Sequence, residues 1–214
     1  MTIEMLDKAV RRVPDFPKPG ILFYDITGVL VNPDALKFCI EQMVEKYKDV
    51  KFDAVAGVES RGFIFAAPFA ERLGIPLVLI RKKGKLPGET YQCSYSLEYG
   101  TATIEVHKAD VKKGGRYLVV DDLIATGGTL AAAKNLIEQG GGEVTDFFGV
   151  IGLPALNYEK VLSPCKVTTL INYDGEWIAR SLTLLAMTIN VIATPSKAKG
   201  EAIHINKYKE NYYD

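Results

Sequence analysis

Histidine and cysteine are scarce in this chain of 214 residues. Its two histidines, His107 and His204, cannot build a His-rich metal site. The three cysteines, Cys39, Cys93 and Cys165, are odd in number and widely spread, and no CxxC pair occurs. Neither a disulfide framework nor a zinc knuckle is expected, and reduced thiols in a cytoplasmic protein fit better. Net charge is also lacking: 26 basic side chains balance 26 acidic ones, which argues against a protein that coats nucleic acid by bulk electrostatics. Long hydrophobic runs are missing. The charge-free stretch Ser181–Ser196 is short and carries Ser, Thr and Asn, so no membrane span is expected. Met1–Arg12 mixes charges with aliphatics and has no signal-peptide core. No GxSxG elbow appears, which removes the usual frame of a Ser-His-Asp hydrolase.

What is present suits a folded domain. Apolar residues make up 48% of the chain, enough for a sizeable core, and the length suggests a single domain spanning 1–214. Met1–Arg12 reads as a short amphipathic helix. Three prolines and Pro19-Gly20 force an extended, turning path over Val13–Thr27. Asn32-Pro33-Asp34 marks a helix start, with helical spacing over Ala35–Tyr47. A β/α alternation follows: strands at Phe52–Val58, Pro76–Ile80, Tyr117–Asp121, Val144–Ile151 and Lys166–Tyr173, and helices at Gly62–Leu73 and Leu130–Gln139. This pattern predicts an α/β fold with a mainly parallel sheet flanked by helices. Residues 82–107 are polar and turn-rich and read as a long hairpin or flap. Residues 174–214 read as an atypical C-terminal extension.

The sharpest segment is LVVDDLIATGGTL, Leu118–Leu130. A core strand ends in Asp121 and Asp122, and a short loop through Ala125 leads to Thr126-Gly127-Gly128-Thr129, which opens a helix. Ligands of open α/β sheets bind beyond the carboxyl ends of strands. Free N–H groups at the helix start, with the two threonine hydroxyls, form a cradle for a phosphate dianion. A bulky residue at Gly127 is expected to crowd that cradle. Carboxylates beside it suit ribose hydroxyls, from which they accept hydrogen bonds. Taken alone, the loop also fits a plain strand–turn–helix junction with solvated aspartates. Gly57-Val58-Glu59-Ser60-Arg61-Gly62 sits at another strand end, where N–H groups, Ser60 and Arg61 suit pyrophosphate. Phe63-Ile64 stands where a Walker loop needs Lys and Ser/Thr, so that motif is excluded.

These segments resemble known ones. VVDDLIATGGT is similar to the phosphoribosyl-pyrophosphate (PRPP) motif of the type I phosphoribosyltransferases. FPKPGILFYDIT (Phe16–Thr27), GVESRGFIF, RKKGKLPGET (Arg81–Thr90) and YSLEYG (Tyr95–Gly100) narrow the resemblance to the adenine-specific branch of that family, over about Arg12 to Gly149.

The resemblance implies a magnesium-dependent enzyme of purine salvage that makes AMP and pyrophosphate from adenine and PRPP. Mg²⁺ would be held mainly through PRPP and waters, with no dedicated protein ligand set. Ala125, Thr126, Gly127, Gly128 and Thr129 would take the 5′-phosphate, and Asp121 and Asp122 the ribose. Ser60, Arg61, Arg81, Lys82 and Lys85 would take the pyrophosphate, partly across the interface of a homodimer. The peptide before Ser60 is expected to be cis. Glu98 and Tyr99, in the flap, are the implied catalytic residues: Glu98 exchanges a proton on the N7 side of adenine and steadies positive charge, and Tyr99 helps close the lid. Residues 1–35 would form a hood over the base, through the backbone of Leu22 and Tyr24 with Phe23 in the wall. Two positions depart from the family pattern: many relatives carry Arg in place of Tyr24 and Pro in place of Gly28. Rival readings keep the fold with another purine, or make the chain a PRPP sensor without turnover.

Overall fold

The computed structural model describes residues 2–17, 19–96 and 101–174, all within one compact unit, Met1–Ser181. Helix α1 (Ile3–Ala9) is followed by strands β1 (Arg11–Pro14) and β2 (Leu22–Asp25), which pair antiparallel. The proline-rich stretch thus folds back on itself, with a cis Phe16–Pro17 bond in its turn. A single helical turn, α2 (Thr27–Leu30), precedes α3 (Pro33–Tyr47). Asn32 caps α3 by accepting from the Ala35 N–H, with Pro33 in the first turn, as the sequence predicts.

The remaining elements are β3 (Ala54–Val58), α4 (Gly62–Leu73), β4 (Leu77–Lys82), β5 (Thr90–Ser96), β6 (Thr101–His107), β7 (Arg116–Ile124), α5 (Gly128–Gln139), β8 (Glu143–Gly152), α6 (Tyr158–Leu162) and β9 (Lys166–Asn172). Seven strands form one sheet in the order β5-β6-β4-β3-β7-β8-β9. The five from β4 to β9 are parallel, and β5 and β6 add an antiparallel hairpin at the β4 edge. That hairpin falls in the predicted flap, and residues 97–100 lie outside the described residues.

Two apolar layers cover the sheet, because successive strand residues face opposite sides. Val55, Leu118, Val120, Phe148 and Val150 pack with Phe38, Met43, Phe65 and Phe69 of α3 and α4. Ala56, Val119 and Phe147 pack with Leu130, Ala133 and Leu136 of α5 and with Tyr158 and Leu162 of α6. Both faces are buried, so the central strands read as continuous apolar runs. Strand β7 is longer than expected. The apolar run breaks at Asp121, yet the ladder continues, with Leu123 opposite Ile151 and Ile124 opposite Gly152. The acidic pair therefore lies inside the strand.

Candidate active site

The chain runs outward from β3 to β4, then returns to lay β7 on the other side of β3. Strand order reverses there, and a crevice opens between the two loops beyond β3 and β7. A cleft of about 330 Å³ occupies this place. Six of the residues singled out in the sequence line it: Ser60, Arg61, Lys82, Asp121, Asp122 and Thr129. Segments sixty residues apart meet because parallel pairing aligns their carboxyl ends.

The loop after β3 begins with the cis Glu59–Ser60 peptide bond. Arg61 follows, half exposed, and its Nε donates to Asp122 Oδ2 at 2.6 Å, while the Asp122 side chain is almost wholly buried. A buried carboxylate needs such a partner. Asp121 Oδ1 accepts from the Asp122 N–H at 2.9 Å. Burial, and then the neighbouring Asp122 charge, push the Asp121 carboxyl well above the ordinary range, against a smaller opposite pull from Arg61.

After β7, Gly127 takes φ +81° and starts α5, which has no side-chain cap. The Gly128 N–H makes one long bond, to the Thr126 hydroxyl at 3.5 Å, and helical geometry leaves the next N–H groups of the first turn without a partner inside the helix. A Cβ on Gly127 would meet Leu162 Cγ at 3.2 Å and Tyr158 Cβ at 3.3 Å. The loop is thus buttressed from behind by α6, and bulk at Gly127 presses on that helix. This contact adds to the crowding of the phosphate cradle expected from the sequence. Thr126 is exposed, Ala125 and Gly128 are half-buried, and none of them lines the cleft itself. The Thr129 hydroxyl donates to the Tyr95 hydroxyl at 3.2 Å, linking the α5 start to the flap.

Arg81 and Lys85 stand apart from the cleft lining. The Arg81 guanidinium donates to both Glu59 oxygens, at 3.2 and 3.3 Å, and to the Lys85 carbonyl. Glu59 also accepts from the Lys82 N–H at 2.8 Å. These bonds and the cationic neighbours hold the Glu59 carboxyl below its ordinary range against the opposing effect of burial. The loop is anchored a second time by Glu105, buried on β6, which accepts from the Lys85 and Leu86 N–H groups at 2.9 Å each.

In the hairpin, Leu22 and Tyr24 share one face of β2 and Phe23 and Asp25 the other. Tyr24 is buried in the core. Phe23 packs edge-on against Phe16, centroids 5.1 Å apart. Asp25 accepts from the Thr27 hydroxyl and N–H, and these bonds, with the charges of Arg11 and Arg61, hold its carboxyl below the ordinary range. Glu98 and Tyr99 lie outside the described residues. Sequence reasoning missed Glu59, Tyr95 and Glu105. Only the position of Glu59, beside Ser60 at a strand end, carried a signal.

Among the described residues, no three His, Cys, Asp or Glu side chains converge as a metal site, and no helix is long and apolar enough to cross a membrane. All three cysteines are free, and burial pushes the Cys39 thiol up to about 12.

The sequence matches the phosphoribosyl transferase domain over residues 29–182. The adenine phosphoribosyltransferase of Treponema denticola is 65% identical over 178 residues, covering 83% of this chain and 94% of the relative. The crystal structure of the Thermoanaerobacter pseudethanolicus adenine phosphoribosyltransferase superposes with a TM-score of 0.77 at 44% identity, over 80% of this chain and all of that one. The Saccharomyces cerevisiae enzyme, solved with an imino-altritol bisphosphate and adenine, gives a TM-score of 0.74 at 37% identity, over 79% of this chain and 98% of that one. The chain belongs to the adenine phosphoribosyltransferase branch of the type I phosphoribosyltransferase family.

Proposed function

We propose that this protein transfers the 5-phosphoribosyl group of PRPP to adenine, forming AMP and pyrophosphate. The observation that carries the reading is the meeting, at the β3/β7 switch point, of an uncapped glycine-rich helix start, an acidic pair and the Ser60-Arg61 turn. A sugar with phosphate at one end, hydroxyls in the middle and pyrophosphate at the other fits that order of groups.

In the reaction, the bond from C1 of the ribose to the pyrophosphate oxygen breaks, N9 of adenine bonds to C1, and the base loses a proton. Ala125 to Thr129 hold the 5′-phosphate. Asp121 and Asp122 hold the ribose hydroxyls. Arg61 and Lys82, with the Ser60 hydroxyl, neutralise and orient the departing pyrophosphate. Arg81 and Lys85 belong to the same assignment, with a homodimer bringing the loop of one protomer to the cleft of its partner. The transition state has oxocarbenium character, which water captures quickly. Closure of the flap over the site gives Glu98 access to the N7 side of the base and lets Tyr99 seal it. The Phe23 wall and the backbone of Leu22 and Tyr24 receive adenine, in keeping with the adenine found in the yeast relative.

The donor set suits Mg²⁺. Three carboxylates line the cleft, and two of them are engaged, Glu59 by Arg81 and Asp122 by Arg61. A hard cation that keeps waters and draws on substrate oxygens matches so sparse a set, which is no cage. When bound, it supplies charge neutralisation on the pyrophosphate. Paired charges and free thiols are consistent with a cytoplasmic protein.

The test is AMP formation by the purified chain from radiolabelled adenine, PRPP and Mg²⁺, beside hypoxanthine, guanine and xanthine. Adenine is expected to be the preferred base. Preference for another purine would reassign the base. PRPP binding with no nucleotide formed would make the chain a sensor.

A further inference from the structure

The β1–β2 hairpin has only four residues per strand. A two-stranded ribbon of that size is marginal in water and takes its fixed shape from what it docks against. Its docking partner includes a residue from the far end of the sheet. Tyr173 directly follows β9, and its N–H donates to the Gly152 carbonyl at 3.0 Å, which pins its backbone to the end of β8. Its ring lies flat on that of Tyr24, with centroids 3.9 Å apart and planes within 3°. The Tyr173 hydroxyl donates to Asp7 Oδ1 of α1 at 2.8 Å. The same carboxylate oxygen accepts from Arg12 of β1 at 2.5 Å, and the Arg12 guanidinium stands 5.3 Å from the centre of the Tyr173 ring. One aromatic side chain thus contacts α1, β1 and β2 together. On the same side, Gly28 lets α2 approach α1 so closely that a Cβ there would collide with the Ala9 carbonyl oxygen.

We infer that Tyr173 is a positioning residue for the purine base: stacked on Tyr24 and tied to Asp7, it fixes the hood hairpin so that the backbone of Leu22 and Tyr24 and the ring of Phe23 stand where adenine is received. This rests on the reading of the hood as the base site. The logic is geometric. The Tyr24 ring is packed into the body, and its backbone is the part the proposed reading assigns to the base, so whatever holds the ring sets the position of the base-facing groups. Flat stacking resists both tilt and slide, and the bond to Asp7 stops the Tyr173 ring from turning. Tyr173 lies at the opposite end of the sheet order from the flap and is not among the residues lining the cleft, so it has no direct part in holding PRPP.

The experiment is steady-state kinetics on the full chain and four variants, Tyr173→Ala, Tyr173→Leu, Tyr173→Phe and Phe23→Ala, varying adenine at saturating PRPP and the reverse. Tyr173→Ala is expected to raise the KM for adenine about tenfold, the scale of a lost aromatic pair plus a hydrogen bond. The KM for PRPP and kcat are expected to stay within about twofold. Tyr173→Phe keeps the stack and is expected to restore most of the adenine KM. Tyr173→Leu keeps apolar volume without a flat ring and is read by the same criterion where the alanine variant does not fold. An unchanged adenine KM in Tyr173→Ala, beside a raised one in Phe23→Ala, overturns the role of Tyr173 and leaves the hood reading standing. No change in either overturns both. Equal losses in both KM values and kcat show a general structural role and overturn the proposal as well.

Discussion

Asp121 carries a carboxyl whose protonation is shifted upward by burial and by its acidic neighbour. A carboxyl raised in the folded state binds protons more readily there than in the unfolded chain. Its contribution to stability is full below the ordinary aspartate range near about 3.9 and is lost as pH rises through the raised value. Asp121→Asn keeps the shape and removes the ionisation. Denaturation at pH 5 and pH 8 is expected to show the variant gaining on the parent at the higher pH, and parallel curves would contradict this. Gly127 gives a second prediction. Valine there must adopt φ near +81° and push on Leu162 and Tyr158, a strain of about 1–3 kcal/mol. The expected result is a lower melting temperature together with weaker PRPP binding. A variant weak in binding but undiminished in melting would return the effect to simple crowding of the phosphate. The glycine was legible in the motif, while the side of the loop that needs it was not, because α6 arrives from thirty residues downstream.

Elements were legible where local chemistry defines them. The Asn32 cap, the stop of α4 before Gly74 and the apolar runs of β3 and β8 all follow from neighbours in sequence. The β1–β2 hairpin was visible only as an extended, turning path, since nothing local records which segments pair. The anchoring of the 83–89 loop was invisible for the same reason. Glu105 reads as an ordinary polar position in the alternation TATIEVH, yet it is buried and accepts four hydrogen bonds, from the Lys85 and Leu86 backbones and the Thr90 and Gln92 side chains. Replacing it by alanine orphans those donors, at a cost of about 1–3 kcal/mol. Urea unfolding of Glu105→Ala is expected to show that loss with an unchanged m value. Amide exchange at Lys85 and Leu86 should quicken while that of β4 does not. Unaltered exchange there would mean the carboxylate does not hold the loop.

For the whole molecule, alternation of strand and helix in the sequence was enough to expect a mainly parallel sheet, and the motifs at strand ends were enough to place the cleft. The order of strands was not readable, because the return of the chain to the far side of β3 is settled by packing between distant residues. The family match ends at residue 182 and the first compact unit at Ser181. A chain shortened to residues 1–181 is therefore expected to fold and to keep AMP formation within about threefold of the full length, a change under about 1 kcal/mol in the barrier. Loss of activity in a folded 1–181 protein would assign the remaining residues a part in the reaction.

The Arg61–Asp122 pair joins a half-exposed cation to a buried anion, and the two halves are not equally free. An incoming anion can draw the arginine outward, but the aspartate cannot follow into water. Inorganic phosphate or pyrophosphate alone would leave that carboxylate stranded. A phosphorylated sugar arrives with hydroxyl donors beside its anionic groups and leaves neither charge bare. On the proposed reading of the site, the pair would act as a two-key lock, opened at low energetic cost by a ligand that presents both chemistries in a single body.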